Sequence, residues 1–202
     1  SPDFPVLAGC QLNLRGDADA FLIRIDTTRK GVESLIYATY FGGTGGDLAY
    51  AVAVDGRENA YIAGSTDSLD LAGLHEKFRS GFQPQPKGGQ DAFMVQLDTR
   101  LEGSESLVYA THLGGSQHES GLGVAVNSRG LTFVTGSTFS FDFPVLNGCQ
   151  PELSGRCDAF LACLDTAKEG HQGLVYATFV GGEKTETGYG VAVDDRCGAV
   201  LV

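Results

Sequence analysis

The chain has 202 residues and a formal net charge of −11, with 29 glycines, six prolines and five cysteines. That acidity leaves no basic stripe for nucleic acid or for an anionic membrane surface, and no apolar run approaches the roughly 18 residues of a membrane helix. Neither nucleic acid nor membrane insertion is expected.

The first segment, 1–15, carries Asp3-Phe4-Pro5 and Cys10 and has the turn-rich character of a loop. From Asp19 to Asp26 the residues Phe21, Ile23 and Ile25 alternate with Leu22 and Arg24, the period of a β-strand. Leu35 to Phe41 is aromatic and β-branched and stops at Gly42-Gly43, which predicts a strand ended by a turn. Ala51-Val52-Ala53-Val54-Asp55 is a strand with small side chains on one face, and Ala60 to Gly64 follows it after a polar turn, as in a hairpin.

The same order then returns. Asp91-Ala92-Phe93 and Asp158-Ala159-Phe160 repeat Asp19-Ala20-Phe21, while Tyr109-Ala110-Thr111 and Tyr176-Ala177-Thr178 repeat Tyr37-Ala38-Thr39, each with a Gly-Gly pair behind it. Gly123-Val124-Ala125-Val126 and Gly190-Val191-Ala192-Val193 repeat the small-residue strand. The units are 1–67, 68–139 and 140–202, and self-similarity at a near-fixed period predicts one repeat array in which a supersecondary unit stacks on copies of itself. Small side chains on one strand of every unit place that strand where blades crowd together, at a central axis.

Four strands per unit with a tapered inner strand are the ingredients of an all-β, four-stranded β-propeller blade. The motifs resemble the SBBP-type bacterial β-propeller repeat, with Asp3-Phe4-Pro5 and Asp142-Phe143-Pro144 joining the runs above. The middle unit departs from it at Asp70-Leu71-Ala72. The resemblance implies a propeller of secreted or surface-exposed bacterial proteins and carries over no catalytic residues. Two complete blades, 49–113 and 121–180, are expected between outer strands at 19–43 and inner strands at 188–202. The chain therefore reads as an excerpt of a longer array whose partners are further blades of the parent chain, or a second copy completing a ring.

The variable segments 1–15, 68–89 and 140–156 absorb the difference in unit length and mark one rim, where binding surfaces are usually built. His75, Lys77, Phe78, Arg79 and Phe82 are the binding-loop candidates for a protein or carbohydrate ligand, the two aromatics having pinning of the loop as their plainer role. On this reading a deletion of 74–88 leaves the fold intact. Asp17 and Asp19 have a spacing that could open a calcium loop, although only Asp19 recurs and a turn-capping aspartate explains it equally. Arg15-Gly16-Asp17 is an integrin-type tripeptide whose counterparts do not preserve it. Cys149 and Cys157 flank one loop and could pair in an oxidising compartment, whereas Cys163 and Cys197 have no repeat counterparts. No nucleophile elbow, phosphate loop or paired-carboxylate motif emerges. The expectation is a non-enzymatic interaction or adhesion scaffold, with a propeller-fold lyase or hydrolase as the alternative.

Overall fold

The computed structural model describes residues 1–196 and 198–202. Among the described residues twelve antiparallel strands follow in order: β1 (Ala20–Ile25), β2 (Leu35–Phe41), β3 (Asp47–Val54), β4 (Asn59–Thr66), β5 (Asp91–Asp98), β6 (Leu107–Leu113), β7 (Glu119–Val126), β8 (Leu131–Thr138), β9 (Asp158–Asp165), β10 (Leu174–Val180), β11 (Val191–Val193) and β12 (Ala199–Leu201). β3-β4-β5-β6 and β7-β8-β9-β10 are four-stranded meanders, flanked by the two-stranded sheets β1-β2 and β11-β12. These are propeller blades in an open arc; the complete ones run from Asp47 to Leu113 and from Glu119 to Val180, each starting two residues ahead of the expected bound. Each sequence unit is out of phase with the blades: unit 68–139 supplies the outer pair β5-β6 of one blade and the inner pair β7-β8 of the next.

Neighbouring blades bury their faces in three clusters. Between the complete blades, Val124 and Val126 of β7 meet Ala51 and Ala53 of β3 and Tyr61 and Ala63 of β4. A second cluster joins Ala20, Leu22 and Tyr37 to Phe93, Val95 and Leu97, and a third sets Val191, Val193 and Leu201 against Phe133 and Leu161. The small-residue strands β3, β7 and β11 lie side by side as the innermost strands. Size is limiting there: a Cβ on Gly123 would come within 3.1 Å of Gly190 on the neighbouring strand.

Two features escape a simple period of two. The β3–β4 register shifts between Ala49 and Ala51, and the β7–β8 register between Gly121 and Gly123. These bulges press a carbonyl onto the partner strand, so a Cβ at Gly64 would lie 2.0 Å from the Leu48 oxygen, and one at Gly136 1.7 Å from the Ser120 oxygen. The recurring Gly-Ser-Thr thus owes its glycine to close backbone approach. The long segment of the middle unit also contains two short helices, α1 (Leu71–Leu74) and α2 (Glu76–Ser80), where sequence alone indicated only a loop.

Candidate functional site

Below the variable rim, each unit builds the same polar latch. A glutamine eight residues ahead of the recurring aspartate donates its Nε2 to the Asp Oδ2: Gln11 to Asp19 at 2.5 Å, Gln83 to Asp91 at 2.9 Å and Gln150 to Asp158 at 2.7 Å. The glutamine Oε1 accepts the N–H of Gly42, Gly114 or Gly181 at 2.9–3.1 Å, and its backbone N–H reaches Thr39, Thr111 or Thr178. Two loop N–H groups complete the carboxylate's shell, from Arg15 and Gly16, Lys87 and Gly88, or Ser154 and Gly155. Burial pushes the Asp91 carboxyl up, opposed by those donors.

A second carboxylate approaches from the start of the inner strand or, in the last unit, from the segment ahead of β11. Asp47, Glu119 and Glu186 accept the N–H of Gly43, Gly115 and Gly182 at 2.8–2.9 Å. The glycine between the two carboxylates has no room for a side chain: a Cβ on Gly42 would sit 2.7 Å from both Asp19 and Asp47. Asp47 and Glu119 are also pushed up, first by burial.

The same geometry places the two calcium candidates, Asp17 and Asp19, in different surroundings. Asp19 accepts three N–H donors as a structural latch, and Asp17 is exposed. Among the described residues no group of three or more His, Cys, Asp or Glu side chains is gathered for a cation. Arg15-Gly16-Asp17 is the turn of the first latch. Cys149 and Cys157 are free thiols with different neighbours, Thr178 and the Glu186 carbonyl, and Cys197 lies outside the described residues.

The binding-loop candidates separate into two groups. Phe78 is completely buried, 4.6 Å from the His112 ring and 6.0 Å from Phe41, and Phe82 is buried between the complete blades. His75 stacks on Phe41 at 5.1 Å, is only 6% exposed, and burial lowers its pKa to about 4. Phe78 and Phe82 are therefore packing residues rather than ligand contacts, because the inserted segment folds its aromatics inward to cover the sheet. A deletion of 74–88 would remove this packing together with Gln83, which argues against the expectation that the fold survives it. Lys77 and Arg79 are exposed on α2.

A groove of about 590 Å³ remains between the first unit's loop, α1–α2 and the turn that leads into β6. Arg15 and Lys77 border it with Glu76 and Glu105, and His75 forms part of its wall. The His75 Nε2 is buried with no hydrogen-bond partner among the described residues. At the opposite end of the blades, a polar groove of about 630 Å³ runs between the hairpin turns of the complete blades. Its wall includes Arg57, Asn59, Tyr61, Arg129 and Gln96, whose Oε1 is likewise buried without a partner. Asp55 and Asn127 in those turns accept the backbone N–H groups of their own loops, the role expected of turn residues. Sequence reasoning passed over Gln83 and its counterparts, although their constant eight-residue lead over the aspartate was visible; nothing local distinguishes Gln96.

A family model described as a β-propeller repeat, SBBP, matches residues 36–71, from β2 to the start of α1. No curated protein matches the chain.

Proposed function

We infer that this chain, which carries an SBBP β-propeller repeat, serves as a non-enzymatic interaction or adhesion scaffold in an exported or cell-surface protein, with the rim groove beside α2 as its contact surface. The observation that carries this reading is the groove itself, in the segment where the units differ. Buried Phe78 and His75 fix the segment, so the exposed Lys77 is presented from a rigid support. The groove's lining is mixed in charge, with Arg15 and Lys77 beside Glu76 and Glu105, and its two cations are the contacts it offers to a partner's carboxylates. The burial of Phe78 and Phe82 removes the aromatic platform that a carbohydrate ligand would need in this loop.

The test is anisotropy titration of a labelled Asp/Glu-rich peptide against the wild-type chain and the double variant Arg15→Glu, Lys77→Glu. Binding that weakens at least tenfold in the variant and with added salt supports the reading. Absence of binding to the wild type, or equal binding to both, removes it.

The lyase or hydrolase reading draws on the opposite groove, where the Tyr61 hydroxyl donates to Asp55 at 3.1 Å and Gln96 offers an unpaired oxygen. Burial, reinforced by the Asp55 charge, keeps that phenol protonated. Turnover of a polysaccharide or ester that Tyr61→Phe abolishes would favour it.

A further inference from the structure

We propose that this chain binds a second copy of itself head to tail, the ribbon β11-β12 of one copy entering the slot between β1 and β3 of the other. Three kinds of complementarity meet there, each with a template in the same molecule.

The first is strand pairing. Among the described residues β1 pairs only with β2, and β12 only with β11, so each keeps an open edge. In the complete blades the strands at these positions pair with one another, as β4 with β5 and β8 with β9. Their registers set Ala60 opposite Leu97 and Ile62 opposite Val95, and equally Thr132 opposite Leu164 and Val134 opposite Ala162. Carried over by the repeat, they put Ala199 opposite Ile25 and Leu201 opposite Ile23 of the second copy.

The second is the apolar face. A groove of about 410 Å³ separates β1 from β3, and Val52 and Val54 beside it are 60% and 71% exposed. Their counterparts Val124 and Val126 are covered by Ala53, Tyr61 and Ala63 of the preceding blade. The residues equivalent to those three are Ala192, Val200 and Val202, on the outward face of β11-β12, where Val200 is 72% and Val202 85% exposed. Each uncovered face carries the counterparts of the residues that cover the other.

The third is a pair of rim contacts. Thr44 N–H donates to Asp70 at 3.0 Å and Gly45 N–H to Ser68 at 2.9 Å; Ser116 and Gln117 do the same with Asp142 and Ser140 at 2.8 Å. At the third loop the space is open: a Cβ on Gly182 would meet nothing, whereas one on Gly115 would strike Ser140 and Asp142. The equivalent oxygens stand at the other end of the chain on Ser1 and Asp3, whose side chains bond each other. A second copy brings Ser1 and Asp3 to the loop after Gly182. Because the contact joins different surfaces, it closes into a ring or propagates. Two copies joined twice have four complete blades and two shared ones, within the range in which propellers close.

Light scattering behind a sizing column, with loading raised from about 1 to about 100 μM, reads the association. The expected result is a mass that doubles with concentration. Val52→Asp disables the slot and Val200→Asp the ribbon; both positions are exposed, and circular dichroism verifies the fold. Each variant alone should remain monomeric, whereas an equimolar mixture, which retains one intact slot and one intact ribbon, should form a 1:1 dimer. A wild-type chain that stays monomeric at the highest loading overturns the proposal. Monomers in the mixture beside a dimeric wild type overturn it as well, because the contact then lies elsewhere.

Discussion

The same connection is solved in two ways in the middle and last units. In the last unit, Asp142-Phe143-Pro144 turns directly inward, and Phe143 lies 4.7 Å from Phe160 and 5.9 Å from Phe179. The first unit repeats this with Phe4 on Phe21 and Tyr40, at 5.0 and 5.1 Å. The middle unit has Leu71 at that position, and the aromatic comes instead from Phe78 on α2, against His112, the counterpart of Phe179. A longer loop thus supplies the same plug by a detour. Length variation at a rim is therefore no guide to whether a segment is dispensable; what counts is whether it carries the group that covers the sheet.

Deletion of 74–88 should have the largest effect, since it strips Phe78 and Phe82 from two clusters and leaves the buried Asp91 without Gln83 and two N–H donors. Loss of the cooperative thermal transition is expected, whereas a near-native melting temperature would mean that the detour is decorative. Phe78→Ala comes next, at about 3–5 kcal/mol in denaturant unfolding, and Phe143→Ala should cost a similar amount if the two plugs are equivalent. A cost for Phe78 well below that for Phe143 would break the equivalence. Gln83→Ala should cost about 2 kcal/mol by leaving Asp91 and the Gly114 N–H short of partners. A change under about 0.5 kcal/mol would class it with ordinary surface substitutions.

An effect of similar size to that of Gln83→Ala is a pH dependence. Burial lowers the pKa of His112 from 6.5 to about 4. The unfolded chain therefore takes up a proton that the native state refuses, and stability is lost as pH falls from about 6.5 towards 4. Buried Asp47, Asp91 and Glu119 act in the opposite sense, since their raised values favour protonation of the folded state as pH falls. The comparison must therefore be differential. His112→Phe, which restores the residue of the last unit, should lose about 1–3 kcal/mol less than the wild type between pH 7 and pH 4.5. Parallel stability curves would show that His112 does not titrate in that window.

The strands and blades were legible because three copies of each position separate alternation from accident. Phe93, Val95 and Leu97 face one way along β5, as Phe160, Ala162 and Leu164 do along β9. The bulges were not legible, since an extra residue in one strand leaves no mark except the glycine opposite it, as at Gly64. The placement of Phe78 and Phe82 was hidden for another reason. An aromatic in an unrepeated stretch has no copy to fix its face, and the short helices that turn Phe78 inward depend on the sheet it covers. The rim groove depends on how two units' loops meet, which no single unit encodes.

The offset between sequence units and blades also bears on covalent breaks in the backbone. The chain crosses the loop 68–90 midway through a blade, and on either side of it β4 and β5 are paired from Asn59–Asp98 to Thr66–Asp91. A protease that cut after Lys77 or Arg79 would sever a connection whose two ends stay held by an unbroken ladder of hydrogen bonds. The nicked protein should run as two fragments in denaturant and as one particle without it. Exposed basic residues on this rim can therefore be cleaved without releasing a blade.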